Sequence, residues 1–171
     1  MQKTPRGSVV AYLPERFADW EAGLACAELN KPDAGYRVLT MSADGTPRRS
    51  IGGWTVAADL SPDELPDNAR LLMLVGGETW LDGSNDAALR VVDACEHTGN
   101  AAFEFAELAP AYRGQKLFRS TPAVDGGAFI TANGAASVEF ARLVLARLGV
   151  RPWGDERAWF AAFKRGTFVE G

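Results

Sequence analysis

The run Ser8 to Leu13, SVVAYL, constrains this chain more than any other stretch, because it is short, β-branched, apolar and free of polar alternation. A strand with one wet face alternates apolar and polar side chains, whereas an unbroken apolar run suits a strand buried on both faces of a parallel sheet. Parallel neighbours cannot be joined by a tight turn and need a crossover, usually a helix. The next segment predicts one. From Phe17 to Asn30, residues Phe17, Trp20, Leu24, Ala25 and Ala27 recur at helical spacing with strong helix formers between them.

The same alternation continues. Tyr36 to Ser42 reads as a second strand, and Gly45 to Leu60 as a small hairpin with a Gly-Gly in its middle. Ala69 to Val75 is the most apolar strand, running straight into Gly76-Gly77. Ser84 to His97 and Asn100 to Leu108 read as helices, the first with Leu89, Val92 and Cys95 on one face. Strands at Lys116 to Ser120 and Ala128 to Ala132 flank an Asp125-Gly126-Gly127 turn, followed by helices at Ala135 to Leu148 and Asp155 to Lys164. Strands alternating with helices predict an α/β fold, a doubly wound, mainly parallel sheet with helices on both faces. With no repeat or linker-like stretch, residues 1–171 read as one domain.

Composition narrows the functions. A net charge of −4 and a pI near 5.1 argue against a binder of nucleic-acid backbones. No apolar run approaches the ~20 residues of a membrane span, and the first residues lack a signal-peptide pattern. Cys26 and Cys95 make neither a disulfide frame nor a CxxC pair, so the cytoplasm is the expected compartment. His97 is the single histidine, which excludes a histidine-rich metal site, and no cofactor is expected.

Several landmarks in order resemble the ThiJ/PfpI family of the class I glutamine-amidotransferase-like superfamily. They are the first strand with Phe17-Ala18-Asp19-Trp20-Glu21, the Arg48-Arg49-Ser50-Ile51-Gly52-Gly53 hairpin, Leu74-Val75-Gly76-Gly77-Glu78-Thr79-Trp80, and Ile130-Thr131-Ala132-Asn133-Gly134 before a helix. The resemblance spans about residues 8 to 164. It implies a flavodoxin-like fold, a homodimer, and a small-molecule substrate attacked by a cysteine on a strand-to-helix turn. Carried over to this chain, Glu21 matches the catalytic glutamate that hydrogen-bonds the nucleophile. Gly76 and Gly77 match the substrate-binding glycines whose N–H groups face the substrate oxygen. The chemistry agrees: a carboxyl beside a thiol can trade a proton with it, and glycines after a buried strand let a backbone approach an anion. On spacing alone, Glu21 reads equally as a first-turn glutamate complementing the helix dipole, and Gly76-Gly77 as an ordinary turn.

One part of the family pattern is absent. His97-Thr98-Gly99 runs directly into Asn100-Ala101-Ala102, where the resemblance calls for a strand, a cysteine elbow and a helix, about 25 residues. Neither cysteine replaces the nucleophile. Cys26 lies five residues beyond Glu21, about 140° round the same helix. Cys95 sits on an apolar helix face, as a small inert hydrophobe. His97, two residues on, points away from it and complements the helix C-terminus.

Two function classes follow. In the first, the complete molecule carries a stretch that these residues lack and is a cysteine-dependent hydrolase resembling intracellular proteases and amidases, or a glyoxalase-like enzyme. In the second, the chain is a shortened, non-catalytic binding or interaction protein on the same scaffold. The C-terminal aromatics Trp153, Trp159, Phe160 and Phe163 read either as core or as an oligomer interface.

Overall fold

The computed structural model describes residues 6–82, 115–127, 129–152 and 155–167. The chain divides into two units, Met1–Asp93 and Ala94–Gly171. The expected helices at 84–97 and 100–108, the Gly99–Asn100 junction, Cys95, His97 and Trp153 lie outside the described residues.

In the first unit β1 (Gly7–Tyr12) is central, as its apolar run predicts. It pairs in parallel with β2 (Tyr36–Met41) on one side and β5 (Ala69–Leu74) on the other. Val10 lies beside Leu39 and Leu72, and Tyr12 beside Met41 and Leu74. All of β1 is buried, Val9 and Val10 completely; each such side chain stabilises the fold by about 1.5–3 kcal/mol. β5 buries Met73 but leaves Leu72 and Leu74 substantially exposed. The hairpin also forms: β3 (Arg48–Arg49) and β4 (Thr55–Val56) pair antiparallel, with Gly53 at φ +90° between them.

The crossover from β1 to β2 is α1 (Asp19–Leu29); of the apolar residues read from the sequence Phe17 and Ala25 are buried, but Trp20 and Ala27 are not. Ala22, Ala25, Glu28 and Leu29 are buried, while Trp20 is half exposed and Ala27 is exposed. Alanines let a helix axis approach a sheet closely, whereas an indole on that face would hold it off. The buried Glu28 carboxylate is tolerated because Lys31 pairs with it at 2.6 Å.

In the second unit β6 (Ala123–Asp125) and β7 (Ile130–Ala132) form an antiparallel hairpin. Its turn is closed by the Gly126 N–H on the Phe129 carbonyl and the Gly127 N–H on Asp125 Oδ1. The strand expected at Lys116 to Ser120 is not formed. A turn occupies residues 115–117, Phe118 makes a single β-bridge, and the Arg119 guanidinium donates to the carbonyls of Lys116 and Phe118. Two helices follow, α2 (Ser137–Leu148) and α3 (Glu156–Arg165). α2 buries Ala141, Val144, Leu145 and Leu148 and ends at Gly149 in the left-handed region. α3 starts at Asp155, whose carboxylate accepts the Ala158 N–H at 2.7 Å, and ends at left-handed Gly166. Trp159 is fully buried with its ring 5.2 Å from Phe163, so it belongs to the core; Phe163 itself is 47% exposed.

Candidate active site

The site grows from the junction between β1 and α1. Leu13 leaves the sheet still bonded to the Met41 carbonyl, and residues 15–18 then run between the hairpin and the loop after β5. Phe17 bridges to Ser50 on one side and Gly77 on the other. Main-chain bonds make this stitch: Ala18 N–H to the Gly76 carbonyl (2.8 Å), Glu78 N–H to Arg16 (3.2 Å), Arg16 N–H to Arg49 (2.8 Å) and Ile51 N–H to Phe17 (2.8 Å). Arg16 takes a left-handed backbone at φ +57°, unusual for a side chain with a Cβ. A two-pronged pair to Glu78 at 2.9 and 3.2 Å fastens its side chain to the same loop.

Glu21 lies in the first turn of α1, and its carboxylate accepts the Gly76 N–H at 2.7 Å. Burial raises its pKa above the usual glutamate value, and the Gly76 N–H offsets part of that rise. Glycine at 76 makes room for this carboxylate: a Cβ there would stand 2.4 Å from Glu21 Oε2 and push it aside. Gly77 is equally confined: its Cβ would meet Pro14 Cγ at 2.9 Å and the Arg16 carbonyl at 3.0 Å. Trp80 steadies the loop by donating its indole N–H to the Val75 carbonyl at 2.8 Å.

The three residues expected from the sequence therefore come together, with a division of labour the sequence does not show. The Gly76 N–H is taken by Glu21, while the Gly77 N–H has no acceptor among the described residues. A protonatable carboxyl beside an open N–H donor can hold a carbonyl or carboxylate oxygen and exchange a proton with it. Cys26 does not join them. Burial pushes its thiol up to about 11, so it is not a nucleophile near neutrality.

Two supporting groups escaped the sequence reading. Asp19 accepts the Gly52 N–H at 2.8 Å, and the Ser50 hydroxyl with that N–H holds its carboxyl below the usual aspartate range. This anchors the hairpin to α1, and the Gly52-Gly53 pair beside a first-turn aspartate was the available signal. Arg16 gave none, because a left-handed arginine looks like any other in a sequence. Among the described residues no three of His, Cys, Asp and Glu gather as a metal site, and no helix is long and apolar enough to cross a membrane.

No protein-family model matches the chain. Among curated proteins it is similar to the uncharacterized protease YoaZ of Bacillus subtilis, 28% identical across 89% of this chain and 88% of that protein. The uncharacterized protease YdeA of the same organism is 27% identical across 77% and 78%. The YoaZ match runs over 185 positions yet takes in 89% of a 171-residue chain, so about 33 positions face no residue here. Among solved structures, a DJ-1 superfamily protein from Agrobacterium tumefaciens is 31% identical, with a TM-score of 0.80 over 93% of this chain and all of that one. A thiJ/pfpI family protein from Bacillus anthracis is 26% identical, with a TM-score of 0.85 over 97% and 94%. The parallel sheet with its crossover helix is thus the flavodoxin-like α/β fold of these relatives, and the chain belongs to the DJ-1/ThiJ/PfpI family.

Proposed function

We propose that this chain carries the site of a protease- or amidase-type hydrolase, binding a small carbonyl- or amide-bearing molecule between Glu21 and Gly77. The hydrogen bond from Gly76 to Glu21 carries the reading, because it holds a carboxyl of raised pKa beside an open backbone donor. In the full reaction Gly77 would hold the developing oxyanion and Glu21 would manage the proton of a cysteine nucleophile. Cys26 is unfit for that part and Cys95 reads as an inert hydrophobe, so the hydrolase reading belongs to a complete molecule that carries the cysteine elbow lacking between Gly99 and Asn100.

The second reading, a non-catalytic binding protein on the same scaffold, is favoured by the positions of the YoaZ match that face no residue of this chain. One experiment separates the two. The complete molecule carrying Cys26→Ala is treated with iodoacetamide near neutral pH and assayed on methylglyoxal and a chromogenic amide, beside the same molecule with Glu21→Gln. Rapid labelling and turnover, both weakened by the glutamine, support the hydrolase. A molecule that neither labels nor turns over leaves the binding reading in place.

Two further expectations belong to this proposal. The exposed rings of Trp20 and Trp54 in the first unit support a homodimer, which sedimentation equilibrium tests. The lack of a disulfide frame supports a cytoplasmic setting.

A further inference from the structure

The second unit contains a half-open groove of about 490 Å³ lined in part by three arginines, Arg142, Arg157 and Arg165. Phe160, Ala158 and Ala161 supply its apolar lining. Arg157, Ala161 and Arg165 recur every four residues on α3, which puts them along one side of the helix. The volume lies within the range of small-molecule sites, about 300–1,000 Å³.

The described carboxylates of this unit are engaged. Asp125 pairs with Arg147, Glu139 with Lys164 and Glu156 with Arg142, while Asp155 caps α3 through the Ala158 N–H. Arg157 and Arg165 have no hydrogen-bond or ion-pair partner among the described residues. Arg165 at least lies at the helix end that favours a cation. Arg157 stands in the first turn, the end that disfavours one, so its position is not explained by the stability of α3. Arg142 lies over the Phe160 ring at 5.1 Å, which presents a flat cationic face next to the apolar lining.

We infer that this groove binds a small amphipathic anion, an aromatic or branched apolar body bearing a sulfonate, carboxylate or phosphate group. The apolar body packs on Phe160 and the two alanines, and the anionic group is held by the forks of Arg157 and Arg165, which have no partner among the described residues. This inference stands apart from the Glu21–Gly77 reading and uses none of its residues.

The test uses the full chain and two fluorescent probes, 1-anilinonaphthalene-8-sulfonate and its uncharged relative N-phenyl-1-naphthylamine. The sulfonate is expected to bind saturably at one site, and the double variant Arg157→Gln/Arg165→Gln to weaken it about tenfold or more. Glu156→Gln, which frees Arg142, is expected to tighten the sulfonate, and neither change to alter the neutral probe. Should the double variant fail to fold, the two single variants carry the comparison, each losing part of the affinity. Sulfonate binding that ignores these substitutions, or an equal loss for both probes, overturns the inference.

Discussion

Replacing Gly76 with alanine tests the geometry of the site directly. The backbone at 76 is outside the left-handed region, so alanine brings no backbone strain there, only a methyl group. That methyl would sit 2.4 Å from Glu21 Oε2, 2.7 Å from Oε1 and 2.8 Å from Cδ. Ordinary contact begins near 3.4 Å, so the carboxylate must retreat by about 1 Å and release the Gly76 N–H. A hydrogen bond to a charged group contributes about 1.5–3 kcal/mol, and overpacking adds about 1–3 kcal/mol where the neighbour cannot move. Glu21 can partly swing away, and alanine stabilises through the unfolded chain by about 0.4–1 kcal/mol. The expected net loss is about 2–4 kcal/mol, a large part of the roughly 5–15 kcal/mol of a typical domain. Urea unfolding followed by tryptophan fluorescence measures it. The same substitution in a Glu21→Ala background meets no carboxyl, and its cost is expected to shrink by about 1.5 kcal/mol or more. A cost under about 0.5 kcal/mol in the parent, or an equal cost in both backgrounds, would refute the described contact.

Three more outcomes are expected. Burial raises the Glu21 pKa on folding, so its protonated form favours the fold; that contribution is whole below about 4.5 and lost as pH rises through the raised value. Glu21→Gln still accepts from Gly76 but does not titrate, so its urea midpoint should gain on the parent between about pH 4 and pH 8, and a constant gap would contradict the assignment. Leu145→Ala, at a buried position of α2, should cost about 2–5 kcal/mol in chemical denaturation, and under 1 kcal/mol would show that the site is not packed. Cys26, its thiol pushed up to about 11, should resist alkylation in the native chain and react once denatured, as mass spectrometry of the Cys26 peptide would show.

How much of this was legible in the sequence varied with the range of the interaction involved. SVVAYL announced a buried parallel strand and ARLLMLV a parallel neighbour because hydrophobic pattern is local, although Leu72 and Leu74 of the latter stay exposed, and glycines at 149 and 166 stand just past the two helices they close. Lys116 to Ser120 misled because the length of a ladder is set by its neighbours: only Phe118 makes a bridge, and the arginine beside it bonds the carbonyls of Lys116 and Phe118. Trp20 and Ala27 of α1 misled for a similar reason, since which side is buried depends on how closely the helix approaches the sheet. The site itself was legible only through resemblance. Glu21 and Gly76 are 55 residues apart, and nothing in spacing says that the glycine is small to make room for that carboxylate.

The bonds that join residues 16–18 to the loop at 76–78 run from main chain to main chain. Such bonds are indifferent to the identity of the side chains above them. Side chains add to this stitch only at its edge, through the Arg16–Glu78 pair and the Glu15 carboxylate on the Arg49 N–H, whereas Gly76 and Gly77 cannot accept even one added carbon without displacing a neighbour. A substitution at 15, 16 or 78 removes one side-chain contact and leaves the main-chain stitch in place, whereas one at 76 or 77 forces a neighbour of the site to move.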